Sequence, residues 1–161
     1  MRAEETDAVA AFARRVYDDA IAPHESPEGR ATYARYASPD AMRARAADHA
    51  VTVAEDGGGP AATLVGMLEV RGGTHVSMLF VDARRRRAGV ARALLAHAFG
   101  VPAAWPALTV NSTPHAVGAY ARLGFVADDG GAVVERHGLR FVPMRRPAGA
   151  ARGADGTAGV P

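Results

Sequence analysis

The segment Val76–Phe99 contains the residues whose types and spacing are best suited to chemistry. An apolar run is followed by four consecutive arginines, Arg84 to Arg87, then by Ala88, Gly89 and an amphipathic stretch. This order predicts a strand that leads into a helix through an arginine-rich turn. A helix begins with unpaired N–H groups and the positive end of its dipole, so the predicted helix start is suited to bind phosphate.

Composition excludes several other kinds of site. The 161 residues include no cysteine and no lysine. Disulfides, thiolate metal sites and a cysteine nucleophile are therefore not expected, and a Walker-type phosphate loop or a Schiff-base enzyme would need the missing lysine. The six histidines are scattered and H-E-x-x-H is absent, so we expect no metal. The dinucleotide-binding pattern G-x-G-x-x-G and the hydrolase pattern G-x-S-x-G are absent as well.

Length and charge limit the class of protein. We expect one folded domain over residues 1–146 and a mobile tail rich in Gly, Ala and Pro over residues 147–161. The sequence contains no run of about 18 apolar residues and its N-terminus lacks a signal-peptide core, so we expect a cytoplasmic protein without a membrane partner. The net charge is only +2 and no aromatic platform accompanies the arginines, so nucleic acid is not an expected partner.

Hydrophobic spacing and turn residues predict the elements that position the arginine-rich turn. Helices are predicted at residues 7–22, from 38 to about 48, at 89–99 and from 112 to 123, and residues 23–36 are predicted to form a loop or an irregular helix. Strands are predicted at residues 50–54, 62–70, 75–81, 107–110, 125–127, 132–135 and 139–144. The apolar run at 75–81 predicts a strand that is buried on both faces.

The order of these elements predicts an α/β fold with a mixed sheet. A strand–helix–strand unit over residues 76–110 implies a parallel pair of strands joined by a right-handed crossover. The hairpin before it implies antiparallel neighbours. We therefore expect a mixed, mostly antiparallel central sheet that is flanked by helices.

Two sequence blocks resemble the GCN5-related N-acetyltransferase (GNAT) family. The phosphate-loop pattern of that family, Gln/Arg-x-x-Gly-x-Gly/Ala, is matched by Arg86–Ala91, directly after a predicted strand. The block Asn111–Phe125 has the later pattern of the family: an Asn, a helix that carries a Tyr, and Leu-Gly-Phe. The resemblance implies the acyl-CoA N-acyltransferase fold, in which two parallel strands of the sheet splay apart.

The resemblance also implies where coenzyme A would bind. The N–H groups of residues 87–91, at the helix start, would point at its pyrophosphate, and Gly89 would let the ligand approach closely. One of Arg84, Arg85, Arg87 and Arg92 would pair with the other phosphate of the nucleotide, and the splayed strands would hold the pantetheine arm. The predicted coenzyme-binding residues are Leu79, Phe80, Val81, Arg86, Arg87, Ala88, Gly89, Val90, Ala91, Arg92 and Asn111.

The reaction implied by the resemblance moves an acetyl group from acetyl-CoA to a primary amine by direct attack in a ternary complex. Tyr120 matches the family's tyrosine that protonates the leaving thiolate, and the alternative is that Tyr120 is a core aromatic. Counting back from Arg86, His75 stands where some members carry a glutamate base. Glu69 on the preceding strand is the competing candidate for the base, and a third alternative is that the amine loses its proton to water without a catalytic base.

The acceptor is expected to be a small molecule or an amino-acid-like compound. Its pocket would lie between the first helix, residues 23–36 and the turn before the last strand. Candidate lining residues are Glu25, Glu28, Tyr33, Tyr36, Asp128 and Asp129. The open alternatives are a protein or peptide acetyltransferase and a non-catalytic acyl-CoA-binding regulatory module, and a second copy of the chain is a further candidate partner.

Overall fold

The computed structural model describes residues 3–59 and 62–149. The helices are α1 (Ala3–Ala20), α2 (Pro27–Tyr36), α3 (Pro39–Ala44), α4 (Val90–Phe99) and α5 (Val117–Arg122). The strands are β1 (His49–Asp56), β2 (Thr63–Arg71), β3 (His75–Val81), β4 (Leu108–Ser112), β5 (Val126–Ala127), β6 (Val134–Arg136) and β7 (Leu139–Arg146). Most of the expected tail, residues 150–161, lies outside the described residues. None of the described helices has the length and apolar character needed to cross a membrane.

The strands form one seven-stranded sheet in the order β1-β2-β3-β4-β7-β5, with β6 paired to β7. Every pair is antiparallel except β3 and β4, which run parallel. Helix α4 connects these two strands, as the strand–helix–strand pattern predicted. The expectation of a mixed, mostly antiparallel sheet flanked by helices is confirmed.

The parallel pair separates soon after it begins, because β3 contains a bulge. Strands β3 and β4 pair only at His75–Thr109 and Val76–Val110. On its other edge, β3 skips Ser77 in its register with β2. An extra residue bends a strand and increases its twist, so β3 diverges from β4 directly after Val76.

The bulge also reverses which side chains of β3 face each layer of helices. Val76 packs in the core under α4 and α5, whereas Met78 packs in the core under α1, α2 and α3. Residues two apart on a regular strand would share a face, so the reversal follows from the extra residue at Ser77. Burial along β3 alternates between buried and partly buried residues. No residue of β3 is exposed and both of its faces are covered by helices, so the prediction that this strand is buried on both faces is confirmed, although only Val76 and Met78 are fully buried.

Helix α2 differs from the sequence prediction of a loop or irregular helix over residues 23–36. Ser26 caps the helix by accepting a hydrogen bond from the N–H of Gly29, and Pro27 occupies the first turn. The same arrangement begins α3, where the Ser38 side chain accepts from the N–H of Ala41. By contrast, residues 112–114, whose Ser-Thr-Pro sequence also predicts a helix cap, form none: Thr113 makes no side-chain cap bond, and a short 3-10 turn precedes α5.

The hairpin of β6 and β7 is fastened to the start of α2. The Ser26 hydroxyl donates to the carbonyl of Gly138 at 3.2 Å, and the Thr32 hydroxyl donates to that of His137 at 2.9 Å. The two backbones approach so closely that a Cβ on Gly29 would lie 2.3 Å from the Gly138 oxygen. This contact requires glycine at residue 29 and fixes the hairpin over the sheet.

Candidate active site

One cleft of about 960 Å³ is lined by the start of α4, both sides of the gap between β3 and β4, and residues of α1, α2 and the β6–β7 hairpin. The predicted site residues that line it are His75, Leu79, Phe80, Val81, Arg86, Arg87, Gly89, Val90, Ala91, Arg92, Asn111 and Tyr120. Ala88 belongs to the predicted set but does not line the cleft. The sequence blocks that are distant in the chain are thus brought together along one continuous space.

The start of α4 presents free backbone donors to the cleft. The first intrahelical bond runs from the N–H of Ala93 to the carbonyl of Gly89 at 2.9 Å, so the N–H groups of Val90–Arg92 have no acceptor within the helix. Gly89 has a φ of 84°, and a Cβ there would meet no atom within 4 Å. Its left-handed backbone, rather than crowding by the protein, therefore favours glycine.

The loop before α4 differs in one detail from the prediction that the N–H groups of residues 87–91 point at a ligand. The N–H of Ala88 donates to the carbonyl of Arg85 at 3.4 Å and so closes the preceding turn. Arg87 adopts a left-handed backbone with a φ of 65°. Helix α4 itself lies close to β2, because a Cβ on Gly66 would come within 2.7 Å of Val90.

The arginines of this loop fall into two groups. The guanidinium of Arg85 bonds to the carboxylate of Asp56 on β1, which holds the loop against the sheet. The guanidinium groups of Arg86, Arg87 and Arg92 make no hydrogen bond or ion pair with any described residue. These three side chains line the cleft and are available to an anionic ligand.

The gap between β3 and β4 exposes a strand edge. Beyond Val76, the edge of β3 that faces β4 has no partner strand. An exposed edge can pair with the amides of an extended ligand. Asn111 lies exposed on the opposite side of the gap. It was expected to follow the strand, but β4 continues to Ser112, so Asn111 lies within the strand and is opposite Pro143.

Tyr120 lies on α5 at the margin of the cleft and of the core. Its side chain is 9% exposed, and its ring meets that of Phe125 edge-on with centroids 5.4 Å apart. Ala116 and Leu123 pack against the same hydrophobic core, which is the arrangement expected if Tyr120 is a core aromatic. Burial raises the pKa of the Tyr120 phenol, so the hydroxyl keeps its proton throughout the neutral range.

His75 lies where β3 and β4 still pair, and its ring lines the cleft. Its Nδ1 is 2.8 Å from the hydroxyl oxygen of Thr109 on β4. Burial lowers the pKa of His75, and the charges of Arg71 and His49 lower it further. The imidazole is therefore neutral near pH 7 and retains a nitrogen that can accept a proton.

Glu69 occupies a different environment from that of a base in the cleft. Its carboxylate oxygens lie 2.6 and 3.1 Å from the guanidinium nitrogens of Arg45, and Nδ1 of His49 is 2.8 Å away. The side chain is 1% exposed and does not line the cleft. This cluster joins the end of α3 to β1 and β2, so the surroundings of Glu69 are those of a residue that stabilises the fold rather than those of a catalytic base.

The end of the cleft between α1, α2 and the β6–β7 hairpin, called the acceptor side after its predicted role, contains half of the predicted acceptor-lining residues. Glu25, Tyr33 and Tyr36 line it, whereas Glu28, Asp128 and Asp129 do not, and Asp128 pairs with Arg145 at 3.1 Å. Other lining residues, which the sequence did not single out, are Tyr17, Ile21, Arg71, His115, Arg136, His137, Arg140 and Phe141. The predicted turn before the last strand does contribute, through the β6–β7 hairpin.

Aromatic rings connect the exposed edge of β3 to the acceptor side. The rings of Tyr17 and Tyr33 are stacked with centroids 3.6 Å apart, and Tyr33 meets Phe80 edge-on at 6.3 Å. Burial raises the pKa of Tyr17 to about 12, with a contribution from the charge of Glu25. Among the described residues, no group of three or more His, Asp or Glu side chains is arranged to hold a metal ion.

Comparison with known proteins agrees with this architecture. A sequence profile of the acetyltransferase (GNAT) domain matches residues 21–147. A GCN5-related N-acetyltransferase from Rhodopseudomonas palustris is 22% identical, with a TM-score of 0.67 over 91% of this chain and 92% of that chain. The PaiA N-acetyltransferase from Thermoplasma acidophilum, solved in complex with coenzyme A, is 15% identical, with a TM-score of 0.67 over 91% and 95%.

No curated protein matches the sequence. The profile nevertheless covers most of the chain, and the solved structures share the acyl-CoA N-acyltransferase fold across nearly all of it. The chain therefore belongs to the GNAT family of acetyltransferases and is an acyltransferase.

Proposed function

We propose that the protein transfers an acetyl group from acetyl-CoA to the primary amine of a small or amino-acid-like acceptor, by direct attack in a ternary complex. The observation that carries this proposal is the single cleft that includes both the free donors of α4 and the acceptor side under α1 and α2. Two substrates that enter from opposite ends could meet in the gap between β3 and β4. The coenzyme A complex of the Thermoplasma relative supports the choice of donor.

The start of α4 would bind the pyrophosphate of the donor. The N–H groups of Val90–Arg92 and the positive end of the helix dipole supply donors at fixed positions. Arg86, Arg87 and Arg92 have guanidinium groups that can pair with phosphate oxygens. Arg85 is less suited, because Asp56 already holds it. Ala88 would shape the loop rather than donate its N–H.

The pantetheine arm would lie in the gap and place the thioester beside β3. Leu79, Phe80 and Val81 supply the unpaired strand edge, and the Asn111 amide faces them from β4. An N–H near Phe80 or Val81 would also stabilise the oxyanion that forms when the amine attacks the carbonyl. The bulge at Ser77 is what makes room for this arrangement.

Proton transfers would involve His75 and Tyr120. The amine nitrogen bonds to the carbonyl carbon while its proton passes through water molecules to the neutral imidazole of His75, which lies at the other end of β3. The carbon–sulfur bond then breaks, and the Tyr120 hydroxyl gives its proton to the thiolate. Burial raises the pKa of Tyr120, so the phenol is present in its donor form, although it is a weaker acid than free tyrosine.

Two measurements test this proposal in sequence. Acetyl-CoA is first titrated while the melting temperature is followed, and a rise is expected because the ligand binds only the folded state. A panel of amines is then screened with detection of the released thiol. Turnover with a primary amine supports the proposal, whereas a shift of the melting temperature without turnover for any amine would favour the non-catalytic binding module.

The variant Tyr120→Phe distinguishes the acid from a core aromatic. Loss of the hydroxyl is expected to lower kcat by about 100-fold, within the usual range for general acid catalysis. The affinity for acetyl-CoA should be unchanged, because the ring still packs against Phe125. A kcat equal to that of the wild type would assign Tyr120 to the core alone.

A further inference from the structure

The charges on the acceptor side of the cleft are unbalanced. Eight arginines line the cleft. Five of them lie on α4, on the loop before it and on α5. The acceptor side has the other three, which lie on β2 and the β6–β7 hairpin: Arg71, Arg136 and Arg140. The only carboxylate that lines the described cleft is that of Glu25. A polycationic acceptor would meet three guanidinium groups here. An acceptor with both a positive and a negative group would match both kinds of side chain.

Glu25 and Tyr17 are buried polar side chains that have open hydrogen-bonding capacity. Glu25 is 8% exposed and Tyr17 is 3% exposed. Glu25 Oε2 and the Tyr17 hydroxyl find no hydrogen-bond partner among the described residues. Buried polar atoms are normally paired, because an unpaired one has lost its hydrogen bonds to water without replacement. Because both side chains line the cleft, a ligand with N–H donors could satisfy both atoms.

Arg140 brings a positive charge beside this pair. Burial raises the pKa of Glu25, and the backbone N–H and the guanidinium of Arg140 oppose this rise, which places Arg140 close to the carboxylate. The two side chains nevertheless form no ion pair with each other. The Arg140 side chain is exposed and lines the cleft. Glu135 lies opposite Arg140 across the hairpin, but it forms no ion pair with Arg140 and does not line the cleft. A ligand carboxylate could therefore bind Arg140 while the amine of the same ligand binds Glu25.

We propose that the acceptor is a zwitterion, an amine that also bears a carboxylate close to the nitrogen. In the neutral form that attacks the thioester, its amine donates one N–H to Glu25 and one to the Tyr17 hydroxyl, and its carboxylate binds Arg140. This inference rests on the proposed acetyltransferase function and specifies its substrate class. Polyamines, and amines whose carboxylate is converted to an amide, lack the negative group and are poor acceptors.

The test compares kcat/KM for matched acceptors. Each common amino acid is assayed beside its carboxamide and its decarboxylated amine, with a polyamine as a further member of the panel. The best amino acid is expected to exceed both of its derivatives and the polyamine by at least about tenfold, which corresponds to one charge-assisted contact. Equal or better turnover of the derivatives would overturn the zwitterion proposal and leave the acetyltransferase proposal intact.

Two variants locate the contacts. R140Q should raise KM for the amino acid by about tenfold and reduce its preference over the amide, while kcat changes little. R145Q on the same strand is the control, because Arg145 pairs with Asp128 and does not line the cleft. E25Q should lower kcat/KM for every amine without altering the melting-temperature shift produced by acetyl-CoA.

The outcomes separate the two levels of the proposal. If R140Q and R145Q behave alike with the amino acid, Arg140 is not the carboxylate contact and the zwitterion proposal is wrong. If no member of the panel is acetylated although acetyl-CoA binds, the proposed function fails and the inference fails with it. A preserved preference for the carboxylate in R140Q, or an unchanged kcat/KM for every amine in E25Q, would likewise contradict the assigned contacts.

Discussion

The coenzyme side and the acceptor side of the cleft are built in different ways. The proposed coenzyme side offers backbone groups: the N–H groups at the start of α4 and the open edge of β3. The acceptor side uses side chains from α1, the start of α2 and the β6–β7 hairpin, such as Tyr17, Glu25 and Arg140. Backbone groups are available to almost any sequence that forms the elements, whereas a side-chain pocket depends on residues that are far apart in the chain.

This difference predicts how the two sides respond to substitution. Changes that alter backbone geometry should impair coenzyme binding, and changes of side chains or of hairpin docking should impair acceptor use. A residue that belongs to neither side should affect stability alone. These statements can be tested by substituting four residues: Glu69, Gly29, His75 and Gly89.

The largest expected effect on stability comes from Glu69→Gln. The substitution removes a buried charge that pairs with Arg45 and His49, and a broken buried pair costs about 3 kcal/mol or more. The melting temperature should fall strongly, while kcat of the protein that remains folded stays close to that of the wild type. Chemical denaturation and assays at low temperature give both values. A large loss of kcat at unchanged stability would make Glu69 the base instead.

A smaller loss of stability is expected for Gly29→Ala, which separates the β6–β7 hairpin from α2. The new Cβ would lie 2.3 Å from the Gly138 carbonyl oxygen, so the backbone must move at a cost of about 1–3 kcal/mol. Gly118→Ala in α5 is the matched control, because its Cβ would meet only Arg122, at 3.8 Å. Gly29→Ala should raise KM for the acceptor and spare acetyl-CoA affinity. Equal effects of the two variants would contradict the close contact.

The pH dependence of activity tests His75. Burial lowers its pKa, with the charges of Arg71 and His49 adding to the effect, so the neutral form persists below the pH at which free histidine becomes charged. Activity that needs neutral His75 is then present at neutral pH and is lost as pH falls through this lowered pKa. The free energy of unfolding should also decrease as pH falls, since the fold disfavours the charged imidazole.

The control for this profile is His75→Gln. In the wild type, kcat/KM should fall at acidic pH because His75 and the acceptor amine both become protonated. The substitution should remove the part of this fall that is due to His75 and leave only the part due to the amine, whose pKa can be measured separately. The profile of kcat/KM against pH is the appropriate measurement for both proteins. Identical acidic limbs in the two proteins would exclude His75 as the group that must be neutral.

The sequence predicted the elements that form the proposed coenzyme side better than those that form the proposed acceptor side, for physical reasons. Strand β3 has the predicted bounds because its apolar run is enclosed by a Gly-Gly turn and by Asp82, which caps the next turn. The start of α4 follows from Gly89 and the helical spacing after it. Each of these features is local in the sequence, so it can be recognised without knowledge of the tertiary structure.

The features that escaped prediction depend on contacts between distant residues. Helix α2 begins with Ser26 and Pro27 in the same way that α3 begins with Ser38 and Pro39. Because glycine disfavours a helix, Gly29 favoured the prediction of a loop or irregular helix in this segment. The structure explains that glycine by its contact with Gly138, 109 positions away in the chain. The bulge at Ser77 likewise exists only in the pairing of β3 with β2, and no local pattern indicates it.

The central claim is that the backbone at the start of α4 binds the diphosphate of acetyl-CoA, and a pair of glycine variants tests it most directly. Gly89 and Gly57 have φ angles of 84° and 85°, and a Cβ at either position meets no protein atom within 4 Å. Alanine at either site should therefore cost a similar strain of about 1 kcal/mol. Titration calorimetry with acetyl-CoA should show a Kd raised about tenfold or more for Gly89→Ala, and an unchanged Kd for Gly57→Ala. Equal affinities for both variants and the wild type would contradict the account.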